Sequence, residues 1–243
     1  TGPSSTPLLL QATATDADNV PLTFTWAQYN NDLAEAIPPE STNTQGPSFR
    51  SLPPSDESGR YLPNLAAVIN GTTPTWEVLP SVARTMDFRV TVRDNSTNSM
   101  SCTTEDDIEV TTVANGPLLV TSPPTSGGSW IDGQTQPVSW DVAGTNVAPV
   151  SCANVDILLS YDGGLTYPVT LANSVANNGT ADIVVPVGVS TTARVQVRCS
   201  DNIFYNISAT DFEIQVSSGP SYLLDLPNPL STICPGDVES NIP

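Results

Sequence analysis

Short runs in which apolar and polar residues alternate recur along nearly the whole chain, and no long stretch of helical period competes with them. The runs LLLQATATD (8–16), LTFTWAQYN (22–30), MDFRVTVRD (86–94) and DIEVTTV (107–113) each place successive side chains on opposite faces, the pattern of a strand with one buried side. After a break at Ala114-Asn115-Gly116-Pro117 a second series follows, from LLVTSPP (118–124) through QPVSWDVAG, VDILLSYDGG, YPVTLANS, ADIVVPVG and ARVQVRCSDN to DFEIQV (211–216). Seven short strands at close spacing, separated by turns, are the signature of an immunoglobulin or fibronectin type III sandwich. The expected fold class is therefore all-β. Residues 1–114 form an Ig-like or cadherin-like antiparallel β-sandwich, 115–217 a fibronectin type III-like one, and 218–243 a linker with an extended tail or strand. No helix is expected.

The first series is interrupted by a long irregular insert, 31–82, rich in Pro, Ser and Asn. An excursion of that length is functional or tied down by its own packing, with Phe49, Tyr61, Leu65 and Trp76 as the expected pins. Trp26 and Trp140 fall within strands and are expected in the core. Trp130, in the loop-like GGSWIDG, is the best candidate for an exposed aromatic. Asp162-Gly163 reads as a hairpin turn, with glycine supplying positive φ.

Composition removes several functions. The chain has no histidine, which excludes a Ser-His-Asp triad, a Cys-His pair and an H-E-x-x-H zinc site. With 25 acidic and 7 basic residues its formal charge is −18, so it repels nucleic acid and anionic lipid. No run approaches the length of a membrane span. Acidity and scarce lysine, with cysteines lacking C-x-x-C spacing, point to a secreted or cell-surface protein. Carboxylate-only catalysis of the glycosidase kind has plentiful Asp and Glu to draw on, but no pair stands out.

Three groups of residues invite chemistry. Asp16, Asp18 and Asn19 follow the first strand and Asp94 ends a later one; if these loops share a pole, their oxygens are candidate calcium ligands, the alternative being turns capped by their own side chains. Cys152 and Cys199 lie at the ends of strands that meet if adjacent and antiparallel, which makes a disulfide sensible, free thiols being the alternative. Cys102 and Cys234 are left to pair with each other or between molecules. Arg50, Arg60, Arg84 and Arg89 are expected to form ion pairs with carboxylates such as Asp56, Glu57, Glu77 or Asp87. In the tail, Tyr222, Leu223, Leu224 and Leu226 form an apolar strand suited to completing a neighbour's sheet.

The runs STPLLLQATATDADNVPLTFTWAQY, GPSFRSLPP, RYLPNL and WEVLPSVARTMDFRVTVRDN, with the series from QPVSWDVAG to ARVQV and DNIFYNIS, resemble the region that follows the catalytic domain in secreted reprolysin-like zinc metalloproteases of Bacteroidetes-type bacteria. The resemblance spans about residues 5–217. It implies non-catalytic accessory modules of a secreted bacterial protein, the zinc-binding helix belonging to a separate domain that nothing here matches. The expected function is thus a non-enzymatic extracellular module with a structural, adhesive or binding role. Its partners would be other protein domains, a cell-surface or matrix ligand, or copies of itself. The alternative is a fibre subunit assembled head to tail by strand donation.

Overall fold

The computed structural model describes residues 1–17, 20–96, 101–123 and 128–217, and strands dominate them. The first sandwich comprises β1 (Gly2–Pro3), β2 (Leu8–Gln11), β3 (Leu22–Gln28), β4 (Gly59–Leu62), β5 (Arg84–Asp94) and β6 (Thr103–Val113). One sheet has the order β1-β6-β5-β3, and β2 pairs with β4 in the facing sheet. In β5, Met86, Phe88, Val90 and Val92 point inward on every second residue; Phe24 and Trp26 do so in β3. Leu8, Leu10 and Leu62 close the core from the other sheet. Each large apolar side chain buried in this way contributes about 1.5–3 kcal/mol.

The region 31–82 is more regular than its sequence suggests. It contains β4, which completes the second sheet, and a helix, α1 (Leu65–Ile69). The helix forms because Asn64 caps it, its Oδ1 accepting the Ala67 N–H at 3.0 Å, and it spans only five residues. Phe49 is buried, whereas Trp76 stands 43% exposed and is held through its backbone, its carbonyl accepting the Arg50 N–H. What pins the loop instead is polar. Arg60 donates to the carbonyls of Trp26 and Arg50 and to Glu77, and Arg84 donates to the carbonyls of Asn43 and Gly46 and to Ser48 Oγ. Two buried guanidinium groups thus gather the carbonyls that a loop without a ladder leaves unpaired.

The second sandwich contains β7 (Leu119–Val120), β8 (Ser129–Ile131), β9 (Thr135–Asp141), β10 (Asn154–Ser160), β11 (Val169–Ala176), β12 (Thr180–Val184), β13 (Ser190–Cys199), β14 (Tyr205–Ile207) and β15 (Phe212–Gln215). Its sheets run β11-β10-β13-β15-β8, with β14 also on β13, against β12-β9-β7, the strand arrangement of a fibronectin type III sandwich. Here β10 is covered on both faces, from Val155 to Ser160. Trp130 is not an exposed loop residue. It lies in β8, 5% exposed, its ring 4.5 Å from that of Phe212, because β8 pairs in parallel with β15 and turns the tryptophan inward. Cys152 and Cys199 are joined by a disulfide with Cα atoms 6.0 Å apart, where Val155 of β10 registers with Cys199 of β13. Closing a loop of 47 residues stabilises a domain by about 4 kcal/mol in the chain-entropy treatment.

The sandwiches are not joined as beads. Leu9 N–H donates to Ile203 O at 2.7 Å and Tyr205 N–H to Pro7 O at 3.1 Å, while Tyr205 registers with Arg198 of β13. Residues 203–205 therefore carry the β4–β2 sheet of the first sandwich into the β14–β13–β10 sheet of the second. Leu118 N–H reaches Thr6 Oγ1, Asn115 Nδ2 reaches Gly144 O, and Arg194 Nη1 donates to Ile69 O at 2.8 Å. The buried residues of both sandwiches form one contiguous hydrophobic cluster, from Leu8 to Ile214.

Candidate functional site

The facing sheets of the first sandwich are unequal: β2 and β4 cover four strands. On β6, Val110, Ile108, Asp106 and Thr104 register with Met86, Phe88, Val90 and Val92, so all four share the core-side face. Val110 is buried, Ile108 partly so, and Asp106 and Thr104 are exposed. The core therefore opens at this corner, and the chain places a carboxylate where the apolar alternation would continue.

The opening is a cavity of about 600 Å³, with Trp26, Val90 and Val92 on its floor and Ala12 and Ala14 along one side. Gln11 and Ile108 also line a second cavity of about 270 Å³ at the domain junction, so the two form one groove. The junction end is polar. Asp156 accepts from Ser200 Oγ at 2.7 Å, from Ser174 N–H at 3.0 Å and from Arg198 Nε at 3.2 Å. Burial pulls its carboxyl upward, but these three donors together outweigh that effect and hold it below the usual carboxylate range. Asn202 Nδ2 donates to Thr1 O.

All seven cationic side chains are arginines, and most serve structure. Arg60 and Glu77 make the expected ion pair at 3.0 Å, with both side chains buried. Arg89 also forms the expected kind of ion pair, with carboxylates other than the four named, binding Glu105 at 2.8 Å and Asp107 at 2.7 Å across the β5–β6 ladder, because these face it on the solvent side. Its guanidinium also lies 4.9 Å from the centre of the Tyr29 ring. Arg84 binds carbonyls and a hydroxyl, as described above. Arg194 and Arg198 pair with Asp211 and Asp156.

The candidate calcium residues divide. Asp18 and Asn19 lie outside the described residues. Asp16 Oδ2 accepts the Val20 N–H at 3.0 Å, and Asp94 Oδ1 accepts the Ser96 N–H at 2.8 Å, both of them local turn caps. Among the described residues, the one group with three closely spaced thiol or carboxylate donors is Cys152, Cys199 and Asp201. Its two sulfurs are bonded to each other and so offer no thiolate to a metal. Cys102 is exposed just before β6. Cys234, Tyr222, Leu223, Leu224 and Leu226 lie outside the described residues.

No protein-family profile and no curated protein sequence matches this chain. Fold and groove together define the class, an all-β tandem of Ig-type and fibronectin-type sandwiches. Among solved structures, it is similar to the surface glycan-binding protein SGBP-B of the mixed-linkage glucan utilization locus of Bacteroides ovatus, solved with a mixed-linkage heptasaccharide. That match has 15% identity and a TM-score of 0.23, over 88% of this chain and 41% of that one. It is also similar to immunoglobulin domains 1–5 of Sidekick-1, at 14% identity and a TM-score of 0.23, over 89% of this chain and 37% of that one. The chain thus spans well under half of either neighbour, and likeness at this level carries no argument about ligand.

Proposed function

We propose that this chain is a non-enzymatic extracellular module, a rigid tandem of sandwiches with a structural, adhesive or binding role. The observation that carries the reading is the shared sheet at the junction, where residues 203–205 bond to both sandwiches and fix their relative placement. A tandem held in this way sets distance and orientation for whatever flanks it or binds along it, which a flexible linker cannot do. The resemblance of residues 5–217 to metalloprotease accessory regions supports a finer form of the proposal. A rigid tandem would hold a secreted catalytic domain at a defined distance from a cell-surface or matrix ligand. The charge of −18 sets nucleic acid aside as a partner. No helix among the described residues is long and apolar enough to cross a membrane.

The test is retention. A soluble reporter fused ahead of the chain is mixed with insoluble polysaccharides, collagen and bacterial envelopes, then washed. Retention above that of the reporter alone, on at least one of them, is the expected result. Retention equal to the reporter alone on every surface removes the adhesive and binding roles.

A further inference from the structure

We infer that the junction cavity walled by Gln196, Arg198 and Gln11 binds the ring of an uncharged sugar. The inference rests on the binding form of the proposed function and names the ligand class. Three observations support it.

The first is a buried polar group left over. Along β13, Ala193, Val195, Val197 and Cys199 enter the core of the second sandwich, so Arg194, Gln196 and Arg198 face the first. Arg194 finds a partner there in Ile69 O. Gln196 does not. It is only 5% exposed, its side-chain amide makes no hydrogen bond among the described residues, and it lines the cavity of about 270 Å³. Burying an amide without a partner costs stability that an apolar residue in the same place would not. A glutamine kept there serves something that enters the cavity.

The second is the chemistry of the walls. Gln196 and, from the other sandwich, Gln11 present amides that both donate and accept. Arg198 gives its Nε to Asp156 and keeps both terminal nitrogens as donors. That ion pair leaves the wall without net charge, and the −18 of the chain repels an anion. Hydroxyl groups answer every one of these walls, donating to an amide oxygen and accepting from an amide or guanidinium N–H.

The third is shape. Leu9, Ile108 and Ile203 supply an apolar side, against which the C–H face of a sugar ring packs while its hydroxyls reach the polar side. The cavity admits a ligand of about one ring. Through Gln11 and Ile108 it continues into the larger cavity, where threonines and carboxylates extend the polar lining for further rings. A peptide strand would need apolar pockets for its alternate side chains, which such a lining does not offer.

The experiment is titration calorimetry, with saturation-transfer NMR, of the full chain against glucose, galactose, mannose, xylose, N-acetylglucosamine and short oligomers of each. Acetate and glucuronate serve as anions, and Gln196→Leu and Gln11→Ala as variants from opposite walls. The expected result is saturable binding of at least one uncharged sugar with a millimolar Kd or tighter, weakened at least ~10-fold in each variant. Gln196→Leu should melt at or above the wild-type temperature, because its amide has no internal partner to lose; a glutamine with a structural role would melt lower when replaced. Affinity equal for a monosaccharide and its oligomers assigns a free sugar or a chain end, and affinity rising with length assigns a glycan chain along the groove; both uphold the site. No uncharged sugar bound, variants that bind as well as wild type, preference for acetate or glucuronate, or a lower melting temperature for Gln196→Leu overturns the inference. Retention on collagen or envelopes with no sugar bound removes this site and leaves the adhesive reading standing, whereas retention on no surface removes that reading itself.

Discussion

At the scale of single residues, buried charge organises what the hydrophobic core does not reach. Arg60 and Glu77 sit almost wholly out of water, and Glu77 also accepts both the backbone N–H and the side-chain amide of Asn64. Burial is the main influence on Arg60 and lowers its pKa, the Glu77 carboxylate opposing it. Removing one partner strands the other, so Arg60→Met is expected to cost about 3–5 kcal/mol in urea unfolding. The double variant Arg60→Met/Glu77→Gln should cost less than the sum of the two single changes. Asp162 makes a different kind of prediction. Burial works against its charge, but Ser160 Oγ, the Leu165 and Thr166 N–H groups and Thr166 Oγ1 bond the carboxylate and hold its pKa down at about 2. A group depressed on folding stabilises above its unfolded pKa of about 3.9 and loses that contribution as pH falls through the folded value. Asp162 is exposed, so solvent screens much of this contribution, and Asp162→Ala should cost at most about 1 kcal/mol at pH 7. The gap from wild type should close between about pH 4 and pH 2, and thermal melts across that window would show it. The Arg60–Glu77 pair was legible from scarce cations among many carboxylates. The carbonyl-gathering role of Arg84 was not, because nothing in a sequence marks which loop carbonyls lack a ladder.

At the scale of elements, alternation located the long strands and failed on the short ones. The four residues of β4, GRYL, give too little period to read, and their burial depends on β2 lying opposite, with Leu8 facing Leu62 and Leu10 facing Arg60. Similarly, β8 and β14 are three residues each and owe their place to β15 and β13. The open corner did leave a trace, since Asp106 breaks the inward series that Ile108 and Val110 begin. That trace gains meaning only with the register to Val90. The junction is the element most open to test. Leu9 N–H points to Ile203 O, so Leu9→Pro removes one of the two donors that join the sheets and leaves Tyr205 N–H on Pro7 O. The expected cost is about 1–3 kcal/mol, with one calorimetric transition expected for wild type and two for the variant. One undivided transition in the variant would show that the shared core, not the shared sheet, couples the sandwiches.

At the scale of the whole molecule, the dominant fact is an excess of negative charge that few attractions offset. Five ion pairs occur among the described residues; Arg60–Glu77 is buried and little screened, whereas the two at Arg89 are exposed and contribute little. The remaining carboxylates repel one another in the folded state more than in the expanded chain, where they lie farther apart. Salt shortens the reach of that repulsion from about 30 Å at 0.01 M to about 3 Å at 1 M, while the buried pair hardly responds. Melting temperature is therefore expected to rise by several degrees as NaCl goes from about 0.01 M to about 0.5 M, most steeply at the low end. Measurements repeated at several dilute protein concentrations would separate this effect from association. A fall with salt would mean that local attractions such as Arg89 with Glu105 and Asp107 outweigh the global field.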